Sequence, residues 1–239
     1  MTQGPQASAA MVPALIVLAG GGGAGLDTEC AKIYAQFDPP IVTGTYSSVS
    51  SQRQEANRQA ASSGSTSGFE NQQSEHMVPN TNFQSTRGDS STNIANAGEY
   101  SEGSGFCYNV YDGQSQGTEH RWLTDAEIAY ADRVKAGKSE GTLKGWLDEM
   151  EGKASEMLDR EDLQRTKGGD KRSRIKDAKK KTKEERKKLA EAAAKCLRLQ
   201  AERQFQKQKV KPEIKLDNRL AGKRKLEPPS SGSLGGGAV

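Results

Sequence analysis

Residues 105–137 read GFCYNVYDGQSQGTEHRWLTDAEIAYADRVKAG. Phe106 to Tyr111 is dense in aromatic and β-branched residues and is closed by Asp112-Gly113, the composition of a strand with a turn behind it. Thr124 is followed three residues later by Glu127, the spacing of a capping box. Leu123 before that cap and Ile128 at the fourth helical position form a hydrophobic staple. The stretch therefore predicts a strand, a turn and a helix from Thr124 to about Lys135 that stops before Gly137.

On the N-terminal side, Glu75-His76-Met77-Val78-Pro79 reads as the end of a short strand terminated by proline. A polar loop rich in Asn, Ser, Thr and Gly then runs to about Gly105. On the C-terminal side, Leu143, Trp146, Leu147 and Met150 fall at i, i+3, i+4, i+7 and predict a second helix. A third, long helix is predicted over Lys183–Lys207, opened by a capping box of Thr182 with Glu185. Its apolar stripe is narrow (Leu189, Ala192, Cys196 and Leu199), with the spacing of a coiled-coil seam. Strands and helices in this order give an α+β fold.

Composition divides the chain. Of 239 residues, 33% are hydrophobic and 5% aromatic, with a mean hydropathy of -0.83. A soluble domain is usually about 45–50% apolar on a count that includes glycine, so one core using the whole chain is not expected. Four regions are predicted: a low-complexity front with a linker (1–68), a compact unit (69–164), a basic helical arm (165–225) and a disordered tail (226–239). The glycine run Gly20 to Gly23 lacks the GK[ST] of a phosphate loop. The net charge of +4 is itself uneven. Arg165 to Lys225 carries 24 Lys and Arg against 8 Asp and Glu, a net of +16, and the remainder carries 11 against 23, a net of -12. A basic arm with one aromatic, Phe205, suits backbone contacts to a polyanion rather than base stacking.

Two classes are set aside. The apolar run from Ala9 to Ala19 contains Pro13 and spans eleven residues, where a membrane-spanning helix needs about twenty. No Lys or Arg precedes it, so it lacks the basic start of a secretory signal. Cys30, Cys107 and Cys196 are odd in number and far apart, and they read as neither a disulfide framework nor a zinc knuckle. The expectation is a reducing, cytoplasmic compartment in the producing cell, with delivery to a target cell by a route that needs no signal peptide.

The two histidines, His76 and His120, both follow a glutamate and both lie in the strand-and-turn region. Glu75-His76 ends the first strand, Asn109 sits in the second, and His120 comes eleven residues later at the start of a helix. This pattern resembles the HNH, or ββα-metal (His-Me finger), endonucleases, of the kind found among bacterial toxin and effector nucleases. The resemblance covers roughly residues 69–135 and rests on the Glu-His-x-x-Pro element and the Asn-to-His gap. It implies a small ββα-metal core that cuts DNA, with RNA as the alternative. By resemblance, His76 is the general base and Glu75 and His120 hold one divalent cation, Mg²⁺ first, with Mn²⁺, Ni²⁺ or Zn²⁺ as alternatives. Asn109 orients the base, with Asn93 and Asn96 as competitors for that place. Arg87 and Arg121 are candidates for holding phosphate, because a guanidinium matches phosphate bidentately. Glu119 reads as a solvated charge. A toxin of this kind implies an immunity protein as partner.

The residue types suit the chemistry. An imidazole with a pKa near 6.5 can take a proton from water at neutral pH. A carboxylate with an imidazole suits a divalent cation that keeps positions open for substrate oxygens. Adjacent residues cannot point the same way on a flat strand, so the expectation is that the strand end at Pro79 lets Glu75 and His76 reach one site. A thiol hydrolase pairing Cys107 with His120 is the weaker catalytic reading, since a strand cysteine lacks the helix N-terminus that lowers thiol pKa. A protein that binds nucleic acid or acts as a scaffold without catalysis is the alternative from another class.

Overall fold

The computed structural model describes residues 23–62, 72–111, 117–165 and 169–223. In chain order the elements are α1 (Gly23–Tyr34), β1 (Thr43–Thr45), α2 (Tyr46–Ser62), β2 (Gln72–His76), β3 (Phe106–Tyr111), α3 (Glu119–Lys135), α4 (Leu143–Asp159) and α5 (Lys183–Lys207). The fold is α+β. The linker expected at 61–68 begins inside α2, whose last residue is Ser62; its remainder, the apolar run at 9–19, the turn at Asp112-Gly113 and the tail at 226–239 lie outside the described residues.

β3 is the central strand of an antiparallel sheet with order β1-β3-β2. Thr43 faces Tyr108 on one side, and Glu75 faces Tyr108 on the other. All six β3 residues are buried, which explains why the segment reads as a continuous apolar run rather than an alternating one. The predicted strands at 106–111 and ending at His76 are both present. The third strand, β1, comes from the front region that composition marks as featureless.

Helix α3 begins earlier than predicted. Thr118 is the N-cap, accepting from the Arg121 amide at 3.3 Å. The Thr124–Glu127 box does not form, because Glu127 is buried against the sheet and Glu119 anchors the first turn from below. Thr142 caps α4 in the same manner, and α4 buries Leu143, Trp146, Leu147, Met150, Ala154, Met157 and Leu158 as one stripe. The capping box at Thr182 and Glu185 starts α5 as predicted.

α5 is not a free arm. It packs along α4 and buries Leu189, Ala190, Ala193, Ala194, Cys196, Leu197, Ala201 and Phe205. Large side chains are few on this face, but alanines let two helix backbones approach closely, so a helix poor in large apolar residues still enters the core. Its lysines, among them Lys183, Lys187, Lys188 and Lys195, stand on the exposed faces. α1 docks on α5 through a disulfide between Cys30 and Cys196, with Cα atoms 5.6 Å apart, and through Tyr34, whose hydroxyl donates to Gln200 at 2.9 Å. The expectation that the cysteines form no disulfide is corrected here: spacing along the chain says nothing about two helices brought together by packing. No described helix is long and apolar enough to cross a membrane.

Candidate active site at the end of strand β2

β2 ends in Gln-Gln-Ser-Glu-His. Successive strand residues point to opposite faces, and the ladder continues past His76, since the Met77 amide donates to the Phe106 carbonyl at 3.1 Å. The pleat is therefore intact where the sequence suggested a break. Glu75 turns toward α3, and His76 turns toward α2.

On the α3 side, the Glu75 carboxylate (Oε2) lies 2.6 Å from His120 Nδ1. Glu75 is buried, whereas the His120 side chain keeps 35% of its surface exposed, so the pair opens to solvent on the histidine side. Glu127, two turns along α3 from His120, brings a second carboxyl to the same place. Burial first, and the Glu75 charge second, push its pKa well above the usual carboxylate range. Its Oε1 and the buried Tyr108 hydroxyl have no hydrogen-bond partner among the described residues. Sequence reasoning missed Glu127 by spending it as a capping residue. Tyr108 was visible only as one aromatic in a strand.

On the α2 side, the His76 ring stacks on Tyr46, with centroids 5.1 Å apart and planes 9° off parallel. His76 Nε2 is 3.2 Å from the Glu102 carbonyl. Gly105 closes the pocket: a Cβ there would stand 2.9 Å from the imidazole Cδ2. Burial pulls the His76 pKa below its ordinary value, and Arg87 pulls the same way, while Glu102 and Glu75 act in opposition. Arg87 pairs with the Glu102 carboxylate, and its Nη2 donates to the Tyr46 hydroxyl at 3.2 Å.

The remaining predicted residues lie elsewhere. Asn109 is fully buried and does not bond His76. Its Oδ1 accepts from the Val42 amide at 2.8 Å, and its Nδ2 donates to Gln72 Oε1 at 2.7 Å and to the Pro40 carbonyl at 3.1 Å. Asn93 donates to the Tyr100 carbonyl, and Asn96 occupies a left-handed turn with φ of 65°. The polar partner of the His76 ring is the backbone carbonyl of Glu102 rather than an asparagine side chain, which no residue-type pattern could reveal. Arg121 pairs along its own helix with Asp125 at 3.1 Å. Glu119 is no solvated charge: it is fully buried, with Oε1 2.7 Å from Arg165 and Oε2 3.0 Å from Arg174. Cys107 is buried, and burial raises its thiol pKa well above the ordinary value, which is the reverse of what a thiol nucleophile needs.

Among the described residues no group of three or more His, Cys, Asp and Glu side chains is arranged as a metal cage. A cation would draw on Glu75 and His120 alone. Their donor types, a carboxylate and an imidazole, suit a divalent cation; here they meet each other at 2.6 Å, and the neighbouring Glu127 carboxyl, its pKa raised by burial, adds no second charge. No family model, curated protein or solved structure matches the chain.

Proposed function

We propose that the chain is a metal-dependent endonuclease that hydrolyses phosphodiester bonds of DNA, with RNA as the alternative substrate. The observation that carries the reading is the meeting of Glu75 and His120 at 2.6 Å on one face of the β2 end, with a half-buried imidazole of depressed pKa on the other. In-line displacement at phosphorus places the attacking and leaving oxygens on opposite sides of the phosphate. A base on one face of a strand end and a cation-holding pair on the other match that requirement, with the phosphate lying across the end between them.

In this reading His76 donates its Nε2–H to the Glu102 carbonyl, and Nδ1 takes the proton of the attacking water while Tyr46 and Glu102 keep the ring fixed. Glu75 and His120 hold the divalent cation, which when bound neutralises charge on the phosphate and the leaving 3′-oxygen. Arg87, whose side chain is 72% exposed, is placed to exchange the Glu102 carboxylate for a phosphate oxygen. The Cys30–Cys196 disulfide supports a working place outside a reducing cytosol, in keeping with a secreted effector that would meet an immunity protein in its producer.

The test incubates the purified protein with supercoiled plasmid, and separately with RNA, under Mg²⁺, Mn²⁺, Ni²⁺, Zn²⁺ or EDTA. Cleavage is expected with a divalent cation and not with EDTA. His76→Ala is expected to lower the rate by about 10²–10⁴, the usual worth of a general base. Cleavage at the normal rate in His76→Ala removes His76 as the base. Absence of any cleavage, with plasmid retained on a gel, replaces the enzyme with a nucleic-acid-binding protein.

A further inference from the structure

Tyr46 is the first residue of α2, and the sequence around it, Thr-Gly-Thr-Tyr-Ser-Ser, gives no hint of a role. Its amide donates to the Gly105 carbonyl at 2.9 Å, so the start of α2 is tied to the same residue that walls in His76. The phenol ring then lies flat on the imidazole. Its hydroxyl accepts from Arg87 Nη2. Glu102 is likewise used twice, since its carbonyl faces His76 and its carboxylate pairs with Arg87.

We infer that Tyr46 is a positioning residue for the base and the phosphate-holding arginine of the hydrolytic site, its ring fixing the plane of His76 and its hydroxyl holding the Arg87 guanidinium beside that imidazole. The inference rests on the endonuclease reading and adds a residue from outside the ββα unit to it. The physical case is that nothing else described holds these two groups together without a competing charge. Glu102 alone would draw Arg87 toward a carboxylate and away from a substrate phosphate. The neutral hydroxyl offers a second hold that survives when phosphate replaces that carboxylate. Stacking, in turn, constrains a ring whose one hydrogen bond among the described residues, to the Glu102 carbonyl at 3.2 Å, does not by itself fix its plane. Misplacement of a reacting group by about 1 Å costs on the order of a hundredfold in rate, so a flat aromatic wall against the base is worth more to catalysis than to stability.

The experiment uses the full chain with Tyr46→Phe, Tyr46→Leu, Arg87→Gln and the Tyr46→Phe/Arg87→Gln double variant, assayed on plasmid with the cation that supports wild-type cleavage. Tyr46→Phe keeps the stacked ring and loses the hydroxyl, so KM is expected to rise about fivefold, the scale of one lost hydrogen bond, with kcat within about twofold. Tyr46→Leu loses both, and kcat is expected to fall on the order of tenfold to a hundredfold. The double variant is expected to be no worse than Arg87→Gln, because the hydroxyl acts through Arg87. Melting curves of all variants within a few degrees of wild type would separate positioning from folding; should Tyr46→Leu unfold, the KM effect in Tyr46→Phe and its non-additivity with Arg87→Gln still decide. Wild-type KM and kcat in Tyr46→Phe and Tyr46→Leu overturn the inference while leaving the endonuclease standing. A wild-type protein that cuts nothing under any cation overturns the endonuclease first.

Discussion

Glu119 and His120 are neighbours in the first turn of α3, and the helix turns them to different surroundings. Glu119 goes inward, where Arg165 and Arg174, both without exposed surface, take its two oxygens and the Tyr111 amide donates to it at 2.9 Å. Burial alone would raise its pKa, but Arg174 and Arg165 hold it below the usual carboxylate range. The arginines have further acceptors, since Arg165 donates to the Met157 carbonyl at 2.7 Å and Arg174 to the Asn109 carbonyl at 2.9 Å. Removing the one anion from this group leaves two buried cations uncompensated. Glu119→Gln should therefore destabilise by about 3–5 kcal/mol, read from urea unfolding; a loss below about 1 kcal/mol would mean that the arginines find water instead. Asn109 makes a complementary case. Its side chain ties the chain at Pro40 and Val42 to Gln72, so Asn109→Ala should cost about 2–3 kcal/mol through unpaired backbone groups. If the protein cleaves nucleic acid as proposed, the kcat of Asn109→Ala should stay at the wild-type value below the melting transition, and a selective loss of kcat in a fully folded variant would return Asn109 to the proposed catalytic group.

α5 shows what a sequence can and cannot disclose about an element. Its ends were legible, because a capping box is a local device: Thr182 and Glu185 satisfy each other's backbone groups whatever the rest of the chain does. β3 and α4 were legible for similar reasons, one from its composition and the other from its spacing. The buried face of α5 was not, since alanine carries little signal in any hydrophobic pattern, and the face that packs runs through Ala190, Ala193, Ala194, Leu197 and Ala201 rather than the anticipated stripe through Ala192 and Leu199. α1, β1 and α2 were missed outright: Tyr-Ser-Ser-Val-Ser-Ser-Gln-Arg-Gln offers a helix almost no apolar periodicity. At the site, Glu75 and His120 could be paired from the motif. The parting of Glu75 and His76 depends on a ladder hydrogen bond that spacing does not report. Close packing by alanine makes a definite prediction. Ala193→Leu has no room at the α4 face and should destabilise by about 1–3 kcal/mol, whereas the same change at exposed Lys195 should fall within about 0.5 kcal/mol. Thermal melts of the two variants compare them directly, and equal effects would show that the α4–α5 contact is loose.

A chain with 33% hydrophobic residues has little reserve of large apolar side chains, and its core is continuous from α1 through the sheet to α5. α1 and α5 come from opposite ends of the described chain, so ordering them against each other closes a long loop. The Cys30–Cys196 bond closes that loop covalently over 166 residues. On chain-entropy grounds a closure of that length stabilises the folded state by about 5 kcal/mol relative to the reduced unfolded chain, a large share of the roughly 5–15 kcal/mol that a domain possesses. The bond itself is buried in that core, and the ion pairs that flank the α1–α5 seam at the surface, such as Arg203 with Asp27 at 3.2 Å, contribute little by themselves. Reduction should therefore lower the urea midpoint markedly, and the Cys30→Ser/Cys196→Ser double variant should match the reduced wild type with or without reductant. Cys107→Ser, at the buried free thiol, should keep the full difference between oxidised and reduced protein. The oxidised and reduced curves of wild type decide the matter: if they superimpose, α1 is held by packing alone, and the disulfide no longer supports a working place in an oxidising compartment.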